Sequence, residues 1–287
     1  MRTHFYALVL YLGTLACGAV GKDYCMLRAR DGAVLSLAEQ VTALKDADVV
    51  FLGEEHDASL VHRLQLAVTE ELLRLHGSIA ISMEMFERDS QNAIDLYLAG
   101  SIDHKAFVDL ARTWPNYPAD YAPAIQLAKA HDLVVLASNV YRPLAARAAR
   151  SGLAKVLGSP WAARQVDASP GPYRERFLQA MTAAGVHAEG LSEAGIQQLY
   201  ASQCLKDDTM AESMARYFDQ HGAAAAPLVH WCGRFHSDYG LGTVERLRRR
   251  RPDLKIAIIS ASKDSGLGLK RPASDRDRAD FLWFVRP

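Results

Sequence analysis

The sequence predicts an α/β fold: a largely parallel sheet flanked by helices, with a smaller inserted helical cap. Two observations predict it. One is a strand–helix–strand unit over residues 48–83, and the other is a set of four further short apolar runs separated by helical patterns. In the unit, Val49-Val50-Phe51-Leu52 follows Asp48 and stops at Gly53; the run is too short for a helix and apolar on both faces, as a buried parallel strand must be. A helical pattern from Val34 to Lys45 precedes it. After Asp57, the expected N-cap, Leu60, Val61, Leu64, Val68, Leu72 and Leu75 recur at helical spacing until Gly77. Ile79-Ala80-Ile81-Ser82-Met83 then supplies the second strand.

Between about residues 86 and 131 no strand run occurs, and short helical patterns are broken by Gly100 and by Trp114-Pro115-Asn116-Tyr117-Pro118; this is the helical cap. Leu133 to Ala137 resumes the sheet. Residues 143–220 alternate further helical patterns with breakers, and Pro227 to Trp231, Lys255 to Ile259 and Phe281 to Val285 give three more strands.

The 33 basic and 33 acidic residues balance, so no global field favours a nucleic-acid backbone, and the 49% apolar and 23% charged content is that of a globular chain. Phe5 to Val20 is apolar, preceded by Arg2 and followed by small residues. As a helix it would rise only ~24 Å, short of a ~30 Å hydrocarbon core, so residues 1–21 read as a secretory signal rather than a permanent span. Residues 22–287 are then the mature domain, exported to the periplasm. Cys17, after Leu15-Ala16 and before Gly18, resembles a bacterial lipobox with Thr14 in place of leucine, which gives a candidate lipid anchor. The other cysteines, Cys25, Cys204 and Cys232, lack metal-knuckle spacing and allow at most one disulfide.

Two turns share one pattern. Gly53-Glu54-Glu55-His56-Asp57 follows the first strand of the unit, and Gly233-Arg234-Phe235-His236-Ser237-Asp238 follows Leu228 to Trp231. Ligands of open parallel sheets bind at the carboxyl ends of strands, which is where both histidines fall. Glu84 ends a third strand. One Gly-x-x-His arises by chance and its histidine commonly just bonds backbone; two at equivalent topological places point to a site. Imidazoles with a carboxylate suit a divalent cation, so His56, Glu84 and His236 form a candidate metal set, with Glu54 or Glu55 as the base that activates water. A polar site of this kind equally suits an organic ligand.

These blocks, with His62 and Gln65, Glu84 to Gln91, Trp114, Pro118 and Tyr121, Asn139 with Arg142, Gln203 with Asp208, Met210 and Ala211, and Gly233 to Gly240, resemble the ChaN-like haem-binding uptake family of the Tiki/TraB superfamily. Tyr141 stands where the family pattern has proline. The resemblance implies an exported lipoprotein that binds haem or a related iron ligand for iron acquisition, with haems stacked at a homodimer interface and tyrosine on iron. Tyr117, Tyr121 and Tyr239 are the candidate iron ligands, and Arg142 a partner for the propionates. The wider superfamily includes metal-dependent proteases, which makes a hydrolase built on the paired turns the alternative. Tyr117 and Tyr121, at i and i+4 beside Trp114, also read as an aromatic cluster joining cap to sheet. His62 lies about 240° of helix turn from His56 and is left out of the metal set.

Overall fold

The computed structural model describes residues 23–183, 185, 192–268 and 271–287. The expected signal segment and Cys17 lie outside the described residues. Seven strands form one sheet: β1 (Tyr24–Arg28), β2 (Val49–Glu54), β3 (Ala80–Glu87), β4 (Val134–Asn139), β5 (Leu228–Gly233), β6 (Ile256–Lys263) and β7 (Phe281–Val285), in the order β1-β7-β6-β2-β5-β3-β4. All pairs are parallel except β1 with β7. The six expected strands are present. β1 is an addition: Tyr-Cys-Met-Leu-Arg is short and sits at an edge, where little hydrophobic signal is needed.

Helix α1 (Leu37–Leu44) starts at a capping box, with the Ser36 hydroxyl accepting from the Glu39 amide and the Glu39 carboxylate accepting from the Ser36 amide. Helix α2 (Ser59–His76) ends at Gly77, whose φ of 75° provides the left-handed stop. Its N-cap is Ala58, with no side-chain bond. Asp57 does not cap α2; its carboxylate is drawn instead to Lys263 at the end of β6, 2.6 Å away. Between β3 and β4 lie α3 (Gln91–Leu98), α4 (His104–Ala111), α5 (Tyr117–Asp120) and α6 (Ala122–Ala130), and after β4 come α7 (Arg142–Ser151), α8 (Pro172–Ala183) and the long α9 (Glu193–His221). Helix α10 (Thr243–Arg250) joins β5 to β6. β3 runs on to Glu87, so Phe86 and Glu84 belong to the strand, and its register with β4 shifts between Met83 and Glu87.

Strand alternation divides the core. Val50, Leu52, Ile81, Met83, Val229 and Trp231 pack with α2 and with Ile94, Phe107, Tyr117, Tyr121 and Ile125 of α3 to α6. Val49, Phe51, Ala80, Leu228 and Cys232 face Met214 and Phe218 of α9 and Val244 and Leu247 of α10. Thus α2, which follows β2, and α10, which follows β5, cover opposite faces although β2 and β5 are neighbours. That is a topological switch point, and it opens a crevice beyond the carboxyl ends of these two strands. The three described cysteines are free and buried.

Leu64 of α2 is 1% exposed in the larger core. Leu64→Ala is expected to cost about 2–5 kcal/mol, read as a lower urea midpoint with an unchanged denaturant slope.

Candidate functional site

The two Gly-x-x-His turns interlock above the switch point. A Cβ on Gly53 would lie 2.9 Å from the Arg234 Cα of the opposite turn, and a Cβ on Gly233 would lie 2.9 Å from the His56 Nε2. Each glycine is therefore the seat into which the other turn fits, and a side chain in either place would part them.

Around this contact run two chains of carboxylates and imidazoles. In the first, the Glu54 Oε1 accepts from the Tyr121 hydroxyl at 2.6 Å and lies 2.8 Å from the His56 Nδ1 and 3.4 Å from the His62 Nε2. The His62 Nδ1 lies 3.0 Å from Asp120, which also accepts from the Asn116 amide. Burial alone would raise the Glu54 pKa, but His56 and His62 outweigh it and hold the group below its ordinary value. For His56 and His62 burial would lower the pKa, and the neighbouring carboxylates raise it instead. With Nδ1 committed to Glu54, the His56 Nε2 has no hydrogen-bonding partner among the described residues. The side chain is 44% exposed.

In the second chain the His236 ring is held at both nitrogens, with Nε2 3.2 Å from Glu84 and Nδ1 2.7 Å from Asp207. Asp207 also accepts from the hydroxyls of Tyr173 and Thr243, and Glu84 from the Gly233 amide. Burial would lower the His236 pKa, yet Glu84 and Asp207 push it up to about 10, so the ring is an imidazolium at neutral pH. Glu84, whose pKa burial would raise, is held far below the carboxylate range chiefly by His236.

The expected set of His56, Glu84 and His236 is thus brought to one place but not as a metal triad. Both ring nitrogens of His236 and both Glu84 oxygens are already used, and among the described residues no group of three or more His, Cys, Asp or Glu is arranged to hold a metal ion. Neither proposed base stands ready to activate water. The Glu54 side chain is 0% exposed and serves to orient His56, and Glu55 pairs with Arg234 at 3.4 Å. Nothing in the arrangement favours the hydrolase alternative.

Of the three tyrosines expected as iron ligands, Tyr117 and Tyr121 are buried away from the cleft, and Tyr239 is not among the residues that line it. Tyr117 is buried against Phe86, Phe107 and His104. Tyr121 is buried with its hydroxyl on Glu54. Tyr239 is half-buried under the Arg176 guanidinium, 3.6 Å from the ring centre. The first two form the cap-to-sheet cluster that their spacing also suggested.

The cleft itself has a volume of about 330 Å³ and is lined by His56, Glu84, Glu87, Trp114, Asn139, Val140, Arg142, Ala145 and Lys206. Trp114 stands edge-on to the His56 imidazole at 5.0 Å. Arg142 pairs with Glu87 at 3.3 Å and remains 68% exposed. Sequence reasoning missed Lys206, Asp207 and Asp120. They lie in helices far along the chain from either turn; Lys206 and Asp207 fall inside the block Gln203 to Asp208 and Asp120 inside Pro118 to Tyr121, but the chemistry of those blocks does not single them out, and their closeness to the turns in space reveals them.

A family model described as haem-binding uptake, Tiki superfamily, ChaN, matches residues 40–247. The chain belongs to this family. Among solved structures it is similar to Campylobacter jejuni ChaN with cofacial haem, with a TM-score of 0.72 at 17% identity over 93% of this chain and 98% of that one. It is also similar to a succinoglycan biosynthesis protein (TM-score 0.53, 11% identity, 90% and 92% covered) and to a Bacillus cereus protein (TM-score 0.51, 10% identity, 91% and 93% covered). At these identities the likeness is one of fold. No curated protein sequence matches.

Removing the imidazole that neutralises Glu84 and Asp207 leaves two buried carboxylates uncompensated. His236→Ala is expected to destabilise by about 3–5 kcal/mol in urea denaturation near neutral pH. Because folding raises the His236 pKa from 6.5 to about 10, its contribution is complete below the lower value and is lost as pH rises toward the upper one. The stability gap between parent and variant should therefore narrow between pH 6.5 and 10.

Proposed function

We propose that this chain binds haem in the cleft above the β2–β5 switch point, with the His56 Nε2 as the protein atom that meets iron. The observation that carries this is an imidazole nitrogen without a hydrogen-bonding partner among the described residues, on a side chain 44% exposed and oriented through its other nitrogen by Glu54, in a cleft that also holds an indole and two cations. Imidazole is a common axial ligand of haem iron, and a carboxylate on its other nitrogen fixes ring orientation and strengthens donation. Arg142 and Lys206 would take the propionates, and Trp114 the apolar ring. When bound, the haem would supply the iron centre, held by His56 with Arg142 and Lys206 at its propionates. Tyr121 acts at one remove, through the hydroxyl it donates to Glu54.

A cleft of about 330 Å³ lies at the small end of the ~300–1,000 Å³ that ligand sites span. It holds part of a haem and leaves the rest outside, which a second copy of the chain would cover. The cofacial haem arrangement named for the Campylobacter relative supports that homodimer. The family membership and the apolar stretch from Phe5 to Val20 support an exported protein that works in iron acquisition.

Hemin titration tests the reading. The parent is expected to give a saturable Soret shift, and His56→Ala to weaken binding by roughly tenfold or more, in the range by which loss of a ligand or its support weakens a metal site. An unchanged Soret shift in His56→Ala would overturn the assignment. Gly233→Ala, whose methyl would meet the His56 Nε2 at 2.9 Å, should also weaken the titration, and the thermal midpoint should report any accompanying loss of fold.

A further inference from the structure

Between Asp132 and Asp167 the chain has no acidic residue and five basic ones, Arg142, Arg147, Arg150, Lys155 and Arg164, although charges balance over the whole sequence. Three of them lie on α7, and Lys155 and Arg164 lie in the segment that follows and packs beside it. On α7 the three arginines fall within about 140° of the helix circumference, opposite the buried Ala145 and Ala148. Val156 and Ala162 then anchor the following turn in a small core with Leu205 of α9, which leaves Leu157 and Trp161 facing outward, each 42% exposed. The Tyr141 amide donates to the Trp161 carbonyl at 3.3 Å and so holds this turn beside the start of α7.

All five cations are exposed. Arg142 pairs with Glu87, but the side chains of Arg147, Arg150, Lys155 and Arg164 have no carboxylate partner among the described residues. The bordering carboxylates are matched elsewhere, Glu87 by Arg112 and Arg142, and Glu212 by Arg88 and Arg216.

We propose that this face docks on an anionic phospholipid surface, with Leu157 and Trp161 entering the headgroup boundary and the cations meeting lipid phosphates. Unpaired cations around an outward leucine and indole are the composition of an interfacial anchor. A nucleic-acid backbone would use the cations but give Leu157 nothing to bury against. Arg142 belongs both to this face and to the cleft wall, so docking brings the cleft mouth beside lipid. The proposal stands whether or not the cleft takes haem.

The test mixes the full-length chain with sedimentable vesicles of phosphatidylcholine alone or with phosphatidylglycerol added, at low and high salt. Roughly tenfold tighter binding to the anionic vesicles at low salt is expected, with the gain lost at high salt. The charge reversals Arg147→Glu, Arg150→Glu and Lys155→Glu together should abolish the gain while leaving the thermal midpoint and the hemin titration in solution unchanged. Trp161 emission, read as the difference between parent and Trp161→Phe, should shift to the blue on the anionic vesicles. Equal binding to both vesicle types, an unaltered gain in the charge-reversed variant, no blue shift, or a stoichiometric complex with short duplex DNA in preference to vesicles would overturn the proposal.

Discussion

Everything at the rim of this sheet depends on the mutual seating of two turns, each of which lacks a side chain where the other must enter. Gly53 admits the backbone at Arg234, and Gly233 admits the His56 imidazole. The constraint is steric, and the electrostatics follow from it: once the turns are this close, Glu54 at the end of β2 and Glu84 within β3 face the two histidines at hydrogen-bonding distance. Charges buried this way are tolerable only when matched, and here each carboxylate meets an imidazole.

The two histidines start from the same local pattern and end in different states. His236 is held at both nitrogens and sealed from solvent, so it acts as a fixed cation that neutralises Glu84 and Asp207. His56 is held at one nitrogen, and the other has no hydrogen-bonding partner among the described residues. The difference comes from what the rest of the chain brings to each turn. Helix α9 delivers Asp207 under one, while the segment after β3 brings Trp114, Asn116 and Tyr121 to the flank of the other.

Much of this was legible in the sequence, because short apolar runs bounded by glycine encode buried strands directly, and the paired Gly-x-x-His turns mark where two of them end. The edge strand β1 escaped notice because a strand with one neighbour needs little hydrophobic signal. The metal set failed on saturation: spacing places His236 beside Glu84 but carries no sign that Asp207, on a helix far along the chain, reaches the other nitrogen of the ring. The two cap tyrosines failed on orientation. Tyr117 and Tyr121 share a face of the cap, as their spacing implies, but that face turns into the core. His62 reaches the site through Glu54 rather than beside His56, a route that angular separation along a helix does not reveal.

The three described cysteines lie sealed in three different parts of the core, and burial raises their pKa values, that of Cys204 to about 12. Neutral thiols without access to one another neither pair nor react. Once folded, the described part of the chain keeps these three thiols out of reach of glutathione and of oxidants alike.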